Sequence, residues 1–401
     1  MFQTTYPVLF VLAGLLLVSP AAGQGLPEGP VTTAGGRLTV GAEVAATLSE
    51  VDDTAYFNFT DYEHNALRLL RISTSAVWRP ADWLAVAAEV RSENLEQPAM
   101  YAAYARIRPW RRRELDFLAG RIPPAFGAFP RRTYGTDNPV IGYPLSYQYV
   151  TSLRPDAAPA TAADLLRMRA RGWRASFPVG SQIPAPGVPL MNAFRWDTGI
   201  GADWTRGVLR LTGALTSGSL SNPRLEDANR GKQVSGRMSL APIAGLTLGA
   251  SGASGAWLSD TLPGSGPRQQ RAAGADVEYS RDHWIVRSEV VFSRWNLALP
   301  LAPSTTTTVS ALGRWIEGRY RLTPRVFVAG RFDWLGFSEI DGSSRGVPTL
   351  PWDAPMRRVE AGGGYYLRRN LVARVTAQHN SRGGGRVRER TFTSVQLAWW
   401  F

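Results

Sequence analysis

Apolar and polar residues alternate along most of the chain after residue 37. In the segment 84–91 the apolar residues share one side, and a mixed set shares the other. The apolar side consists of Leu84, Val86, Ala88 and Val90, and the mixed side consists of Ala85, Ala87, Glu89 and Arg91. Segments 326–334 and 371–378 follow the same period of two. This period predicts β-strands with one apolar face, because successive side chains of a strand point to opposite sides.

Short turns and longer polar loops separate these strands in alternation. The predicted short turns are 79–82, 109–113, 155–163, 205–207, 241–245, 281–283, 322–325 and 367–370. If both ends of the sheet lie on the same side, n strands need n/2 − 1 short turns, so these eight turns predict 18 strands. The turn at 155–163 is the weakest, and if 143–163 is entirely loop the count falls to 16.

An apolar face on so many strands suits a membrane. Lipid offers the backbone no hydrogen bonds, so a sheet that faces lipid must close on itself. The predicted fold is therefore all-β: a transmembrane antiparallel β-barrel over 37–401, with short turns at one end and long loops at the other. A barrel of 16 or 18 strands encloses a wide aqueous lumen rather than a packed core.

The N-terminus has the pattern of an export signal. Residues 8–18 form an apolar run, and the small residues Ala21, Ala22 and Gly23 follow it. This predicts a signal peptide over 1–23 and a periplasmic segment over 24–36, although residues 1–7 lack the usual Lys or Arg. The alternative is a single membrane anchor, but the run is shorter than the roughly 20 residues that a span needs.

The C-terminus carries the most specific signal. Its last strand places apolar or small side chains on one face, namely Thr393, Val395, Leu397, Trp399 and Phe401, and Phe401 is the final residue. This resembles the terminal strand of bacterial outer-membrane proteins, and the whole pattern resembles the β-barrel porins, which include phosphate-selective and other substrate-preferring members. The resemblance implies an outer-membrane location, with the short turns facing the periplasm. It also implies that the barrel-assembly machinery reads Trp399 and Phe401, that the barrel contacts outer-membrane lipids and lipopolysaccharide, and that it forms a homotrimer.

Composition narrows the functional classes. The chain has 45 Lys and Arg against 32 Asp and Glu, and its mean hydropathy is −0.16 with a single long apolar run. A polytopic helical membrane protein is excluded, because each span needs such a run. A basic protein in the cytosol would suggest nucleic acid, but export and the barrel pattern argue against that partner. There is no cysteine, and His64, His283 and His379 lie far apart, so we expect no metal, no cofactor and no enzyme activity.

The segment 122–142 differs from the rest of the chain. It is rich in proline, glycine and aromatic residues, which excludes a regular strand. We expect it to fold into the lumen and narrow the pore, where charged residues would set the local field: Arg121, Arg131, Arg132 and Asp137. The alternative is a structured cap over the outer mouth that narrows nothing.

Arginines recur at strand positions that we expect to face inward. Arg167, Arg169 and Arg171 follow a strict period of two, and Arg106 and Arg108 repeat it. An arginine that faces lipid at mid-depth costs about 2–4 kcal/mol, which favours the lumen. Single arginines in other strands follow the same logic, among them Arg331 and Arg374. A row of guanidinium groups in a pore attracts anions; inward acids such as Glu289 and Glu360 offset part of that charge.

These features predict a passive diffusion channel for small hydrophilic solutes with a preference for anions. Two alternatives stay open. The inward arginines could instead form a salt-bridge lattice that braces the wall, and the barrel could be a non-conducting adhesin or structural anchor.

Overall fold

A computed structural model describes residues 30–52, 56–59, 64–110, 114–223, 231–263, 268–298, 306–341 and 348–401. The predicted signal peptide lies outside these residues. The strands in chain order are β1 (Val31–Thr33), β2 (Leu38–Ser49), β3 (Leu69–Ala81), β4 (Leu84–Glu93), β5 (Ala99–Ile107), β6 (Leu115–Ile122), β7 (Ala157–Ala158), β8 (Val179–Gly180), β9 (Asp197–Arg206), β10 (Leu209–Thr216), β11 (Gln233–Ile243), β12 (Leu246–Ala256), β13 (Gln269–Arg281), β14 (Trp284–Ala298), β15 (Thr306–Arg321), β16 (Val326–Phe337), β17 (Glu339–Ile340), β18 (Leu350–Pro351), β19 (Met356–Arg368), β20 (Leu371–Arg382) and β21 (Glu389–Trp400).

Sixteen of the described strands form one closed antiparallel barrel. Neighbours in the chain pair with each other from β2 to β6, from β9 to β16 and from β19 to β21. β6 pairs with β9 and β16 with β19. The barrel closes where β2 pairs with β21, from Glu43 opposite Trp400 to Ser49 opposite Ser394.

The structure has the smaller of the two predicted strand numbers. The predicted turn at 155–163 is wrong, because the chain makes no hairpin of the barrel wall there. Instead β6 ends at Ile122 and pairs directly with β9, from Leu115 opposite Trp204 to Ile122 opposite Asp197. The intervening residues contain only β7, β8 and short helices: 3₁₀ turns at Phe129–Arg132 and Gly172–Arg174, and α-helical turns at Leu145–Gln148 and Ala162–Arg167.

The two faces of the wall follow the predicted alternation. Val86, Val328 and Val375 are exposed on the outside, whereas Glu89 and Arg374 are buried on the inside. The outer surface is apolar and suits lipid. No helix in the described part of the chain is long and apolar enough to cross a membrane.

The main hydrophobic core lies within the barrel, toward the loop end. Leucine and aromatic residues of the segment between β6 and β9 pack there against inward side chains of the wall and of the outer loops. The largest members of this cluster are Phe57, Tyr149, Phe177, Trp257, Trp295, Trp352 and Phe392. Part of the lumen is therefore filled by the chain itself.

Candidate functional site: the lumen and its inner loop

Residues 123–196 form one long segment inside the barrel, which we call the lumen loop. The amide of Gly135 donates to Glu43 of β2 (3.0 Å), and the amide of Ala128 donates to Glu289 of β14 (2.9 Å). β2 and β14 lie on different sides of the ring of strands. The loop therefore contacts the inner wall on more than one side, and its first part, 123–142, lies against that wall.

Carboxylates of the wall hold the lumen loop in place. Glu360 accepts from the amides of Ile141 (3.0 Å) and Gly142 (2.8 Å), and Asp333 accepts from the amide of Leu145 (3.1 Å). The wall carboxylates that accept hydrogen bonds from the loop include Glu43, Glu89, Glu278, Glu289, Asp333 and Glu360. Since proline-rich and glycine-rich backbone forms few internal hydrogen bonds, these acceptors satisfy amides that burial would otherwise leave unpaired.

Arg331 is the centre of a buried ionic cluster in the wall. Its guanidinium lies 3.4 Å from Glu317, 3.1 Å from Asp333 and 3.1 Å from Glu360, and all four side chains are almost completely buried. A charge in this position is neutralised by its neighbours and is not offered to a passing solute. Arg331 therefore fits the bracing lattice better than a pore lining.

Arg121 joins the two ends of the lumen loop. It lies in β6 just before the loop begins, and its Nε donates to the carbonyl of Trp196 at the loop's end (3.0 Å). Its Nη1 donates to the carbonyl of Met100 in β5. Alternation along β6 puts Arg121 on the side of the exposed Phe117 rather than toward the lumen, and both of these donors bond to backbone carbonyls.

A group of arginines surrounds Asp137, which lies exposed on the lumen loop. We call Arg132, Arg287, Arg319 and Arg374 the lumen arginine cluster. Desolvation inside the lumen raises the pKa of the Asp137 carboxyl above its usual range, and the four guanidinium groups oppose this rise. Glu278 pairs with both Arg132 and Arg287. Glu317 also lies 3.6 Å from Arg287, so four guanidinium groups stand beside three carboxylates here, those of Asp137, Glu278 and Glu317.

The inner wall near the short turns carries further half-exposed charges. Arg106 of β5 faces inward beside Ala85 and has no ion-pair partner among the described residues. Arg108 pairs with Asp116 through two contacts of 2.7 and 2.8 Å. Arg210 pairs with Asp203, and Arg237 with Asp276. The wall here consists mostly of charge pairs, with Arg106 as an added cation.

No known protein family and no curated relative matches the sequence. Solved structures do match over nearly the whole length. OmpF of Salmonella typhi, in complex with daunomycin, is 9% identical with a TM-score of 0.55, over 93% of this chain and 100% of that one. An anion-selective porin from Comamonas acidovorans is 8% identical with a TM-score of 0.54, over 91% of this chain and 99% of that one. OmpT of Vibrio cholerae in a trimer form is 8% identical with a TM-score of 0.53, also over 91% of this chain and 99% of that one. The chain has a porin-like fold.

The porin-like fold and the apolar outer surface fit the bacterial outer-membrane location that the sequence predicts. At its seam, Phe401 and Ala42 exchange backbone hydrogen bonds of 3.0 and 3.1 Å. The ring of Phe401 lies 5.2 Å from that of Trp399, which is on the outward face. Trp399 lies in β21 and Phe401 directly follows that strand; their recognition by the assembly machinery stays a prediction.

The predicted arginine strand over 167–171 is wrong. Arg167 ends the helix Ala162–Arg167 and pairs with Asp164 (3.2 Å) near the surface, and Arg169 and Arg171 follow in a turn. The helix forms because Thr161 and Asp164 make reciprocal hydrogen bonds to each other's backbone, a capping box that outweighs the period-two pattern. That pair of residues is visible in the sequence and could have identified the helix.

The remaining predicted residues take separate places. Arg374 is buried and donates to Gln396 (2.7 Å), at the edge of the lumen arginine cluster. Arg132 pairs with Glu278 across the lumen. The side chain of Arg131 lies outside the described residues.

Arg358 is a buried residue that joins three parts of the porin-like barrel. Its guanidinium donates to the carbonyl of Phe57 in an outer loop (2.6 Å) and to the carbonyl of Tyr143 in the lumen loop (2.9 Å). It also donates to Gln148 (2.6 Å) and to Asn380 of the wall (2.8 Å). The sequence shows its inward direction but contains no signal for these partners.

Asp353, in the outer loop before β19, was not identified from the sequence. It is fully buried and accepts hydrogen bonds from the amides of Ser152 (2.7 Å) and Ala170 (2.9 Å) in the lumen loop. Burial raises the pKa of its carboxyl above the usual range, although these hydrogen bonds oppose the rise. No group of three or more His, Cys, Asp or Glu side chains that could hold a metal occurs in the described part of the chain.

Proposed function

We propose that the protein is an outer-membrane channel through which small hydrophilic solutes diffuse passively, with a preference for anions. The observation that carries this proposal is the lumen arginine cluster around Asp137. Its guanidinium groups come from both the wall and the lumen loop, so they surround the space between them. In a narrow aqueous lumen with low-dielectric walls, an excess of one sign of charge raises the concentration of the opposite ion.

The first part of the lumen loop, 122–142, forms the constriction in this proposal. It carries Arg132 and Asp137 and is fixed by Glu43, Glu289 and Glu360. A loop fixed at several points of the wall reduces the free cross-section and holds its charges at a constant distance from the wall. The structural neighbour named as an anion-selective porin supports the same selectivity for this chain.

Reversal potentials in a planar bilayer with a salt gradient test the selectivity. In R132A/R319A two members of the lumen arginine cluster are removed, and we expect the reversal potential to move toward cations, most strongly at low salt, where screening is weak. R206A removes an arginine at a short turn and serves as the matched control. An R132A/R319A barrel that folds and selects ions as the parent does would contradict the anion preference.

A non-conducting barrel, acting as adhesin or anchor, is the second candidate. The observation that favours it is the hydrophobic core within the barrel, because it fills lumen space near the loop end. Folded parent protein that produces no conductance steps in the bilayer, while a known porin does so under the same conditions, would favour this candidate.

We also propose a homotrimer. Within the described strands β2–β12, the outward side carries only two charged side chains, Arg206 at a turn and Arg121, which is already buried at the loop end. This half of the surface can therefore be covered by another subunit with little further burial of charge. One structural neighbour is named as a trimer form. Light scattering of the detergent-solubilised protein measures the mass; a single species with the mass of one chain would contradict the trimer.

A further inference from the structure

Apart from Arg206 at a turn, the outward face of the barrel strands carries exposed arginines on one half only. Register and alternation place four exposed arginines on the outside: Arg271 of β13, Arg294 of β14, Arg314 of β15 and Arg357 of β19. We call them the outward arginines. Every acid in the barrel strands β13–β16, β19 and β20 faces the lumen instead, so the outward face of these strands contains no acid among the described residues. The outward acid closest to them in register is Glu389 of β21. It lies opposite Ser381 of β20, which in turn lies opposite Arg357.

Two of these arginines directly oppose each other without a counter-charge. Arg271 and Arg294 are cross-strand partners; Arg271 donates to Gln269 (3.3 Å), and its partner on the other side, in β12, is the uncharged Ser254. Like charges directly opposite on a sheet are destabilising. On a surface that faces lipid this repulsion is stronger than in water, so an anion from outside the chain is the natural partner.

The other two flank an aromatic ring. Arg314, Trp334 and Arg357 lie in one cross-strand row, and the guanidinium of Arg314 lies 4.5 Å from the ring centre of Trp334. Stacking on an indole orients a guanidinium and leaves its edge N–H groups free for an acceptor. A rigid row of this kind suits a flat, multivalent anion.

The outward arginines mark the outer edge of the apolar belt. β14 runs toward the loops, and its outward residues Val286, Val290 and Phe292 come before Arg294. β19 runs toward the turns, and its outward residue Val359 comes after Arg357. On β15, Leu312 lies nearer the loops than Arg314 does, so Arg314 is slightly deeper in the membrane than the edge of the apolar belt. Its side chain can extend to reach the lipid–water interface. The opposite edge carries aromatic residues instead, including Trp204, Tyr279, Trp284, Tyr365 and Trp399. Arg206 and Arg281 also face outward, but they lie at the turns on the aromatic side, so the outward arginines are the cations at the loop-side edge of the belt.

We propose that the outward arginines bind the phosphate groups of a phosphorylated glycolipid of the outer leaflet, the lipid A part of lipopolysaccharide. Guanidinium groups bind phosphate oxygens through two parallel hydrogen bonds. Neighbouring strands space the arginines by about 5 Å, so two adjacent groups can share one phosphate while the row around Trp334 holds a second. The acyl chains then lie along the apolar face of β13–β19. This site is independent of whether the lumen conducts.

Binding of purified diphosphoryl lipid A to the folded, full-length barrel in detergent micelles tests the proposal. Native mass spectrometry counts the bound lipids, and a titration gives the affinity. In R271Q/R294Q/R314Q/R357Q we expect the affinity to fall at least tenfold. The matched control R206Q/R281Q/R321Q/R368Q removes four arginines from the turn end, with the same change in net charge, and we expect it to bind as the parent does. Heat-modifiable migration on gels verifies that each variant is folded.

Two further lipids identify the chemistry. Lipid A without phosphates should bind at least tenfold more weakly than diphosphoryl lipid A, because the proposal depends on phosphate. Phosphatidylglycerol should also bind more weakly, because it carries one phosphate and fewer chains. Equal affinity of the parent for all three lipids, or an outward-arginine variant that binds diphosphoryl lipid A as tightly as the parent, would overturn the proposal.

Discussion

At the scale of single residues, burial decides what an arginine does. Arg331 and Arg319 both face inward on neighbouring strands, but Arg331 is enclosed by three carboxylates and Arg319 is half-exposed beside Asp137. Alternation in the sequence indicates the direction of each side chain and nothing more. The partners come from strands far apart in the chain, so the sequence could not separate the bracing arginines from those of the lumen arginine cluster.

We expect R331M to destabilise the barrel by about 3–5 kcal/mol, because it leaves Glu317, Asp333 and Glu360 buried without their cation. Urea unfolding in lipid vesicles, followed by tryptophan fluorescence, measures the loss. R167A, at the exposed end of a helix, is the control and should change the free energy of unfolding by less than about 0.5 kcal/mol. A loss for R331M no larger than that of R167A would show that the cluster does not brace the wall.

Asp52, in the loop after β2, gives a pH dependence. Its carboxylate accepts from the amides of Phe57 (2.7 Å) and Asn58 (3.1 Å), but burial raises the pKa to about 6. In the disordered loop the pKa is near 4, so the ordered loop holds a proton that the disordered loop loses. The free energy that favours the ordered loop is therefore greatest below about pH 4. It decreases by roughly 3 kcal/mol in total as the pH rises through about 6.

Hydrogen exchange of the Phe57 and Asn58 amides, corrected for intrinsic rates, measures this effect. We expect stronger protection at pH 5 than at pH 7.5. D52N keeps an acceptor oxygen and has no charge to lose, so its protection should be the same at both values. Protection in the parent that rises with pH would contradict the assignment.

At the scale of elements, the regular strands were predictable and the lumen loop was only partly so. Strand direction follows from a strict period of two, and the seven short turns other than 155–163 fall at or within a few residues of the hairpins in the structure. The proline-rich part, 122–142, was identified from composition. The rest of the loop was not, because its helix and its buried residues depend on contacts with Asp353 and Arg358 that lie some 200 positions away.

Replacing 123–142 by a short Gly/Ser linker should raise the single-channel conductance, because it removes the chain between the wall contacts of Glu43, Glu289 and Glu360. Planar-bilayer recordings measure the step size. A linker of the same kind in the exposed outer-loop residues 95–98 is the control and should leave the step size close to that of the parent. Unchanged conductance in a folded 123–142 variant would show that the segment does not limit the flow.

At the scale of the whole molecule, the barrel depends on a pairing between the two ends of its sheet. β2 and β21 are separated by some 340 residues, so the seam forms only when both are in place. Such a distant pairing is slow to form.

The outer surface is divided as well: charged side chains occur on β13–β19, and the strands from β2 to β12 are almost free of them.

Deleting Phe401 should lower the yield of folded barrel in the outer membrane, because it removes the last backbone pair with Ala42 and the terminal aromatic residue. Heat-modifiable migration of membrane fractions measures the yield. F401Y retains both the ring and the backbone and should assemble nearly as the parent does. Normal yields for the deletion would contradict a role of Phe401 in assembly.

The short strand β1 pairs with the same edge of β2 as β21 does. Val31 lies opposite Val40, and Phe401 bonds to Ala42, so the two segments follow one line along β2 with room for about one residue between them. A peptide of that length could join Phe401 to Val31 and make β21 and β1 a single strand. The barrel would then be a covalent ring, and a circular permutant could open it at any of the short turns without breaking a strand pair.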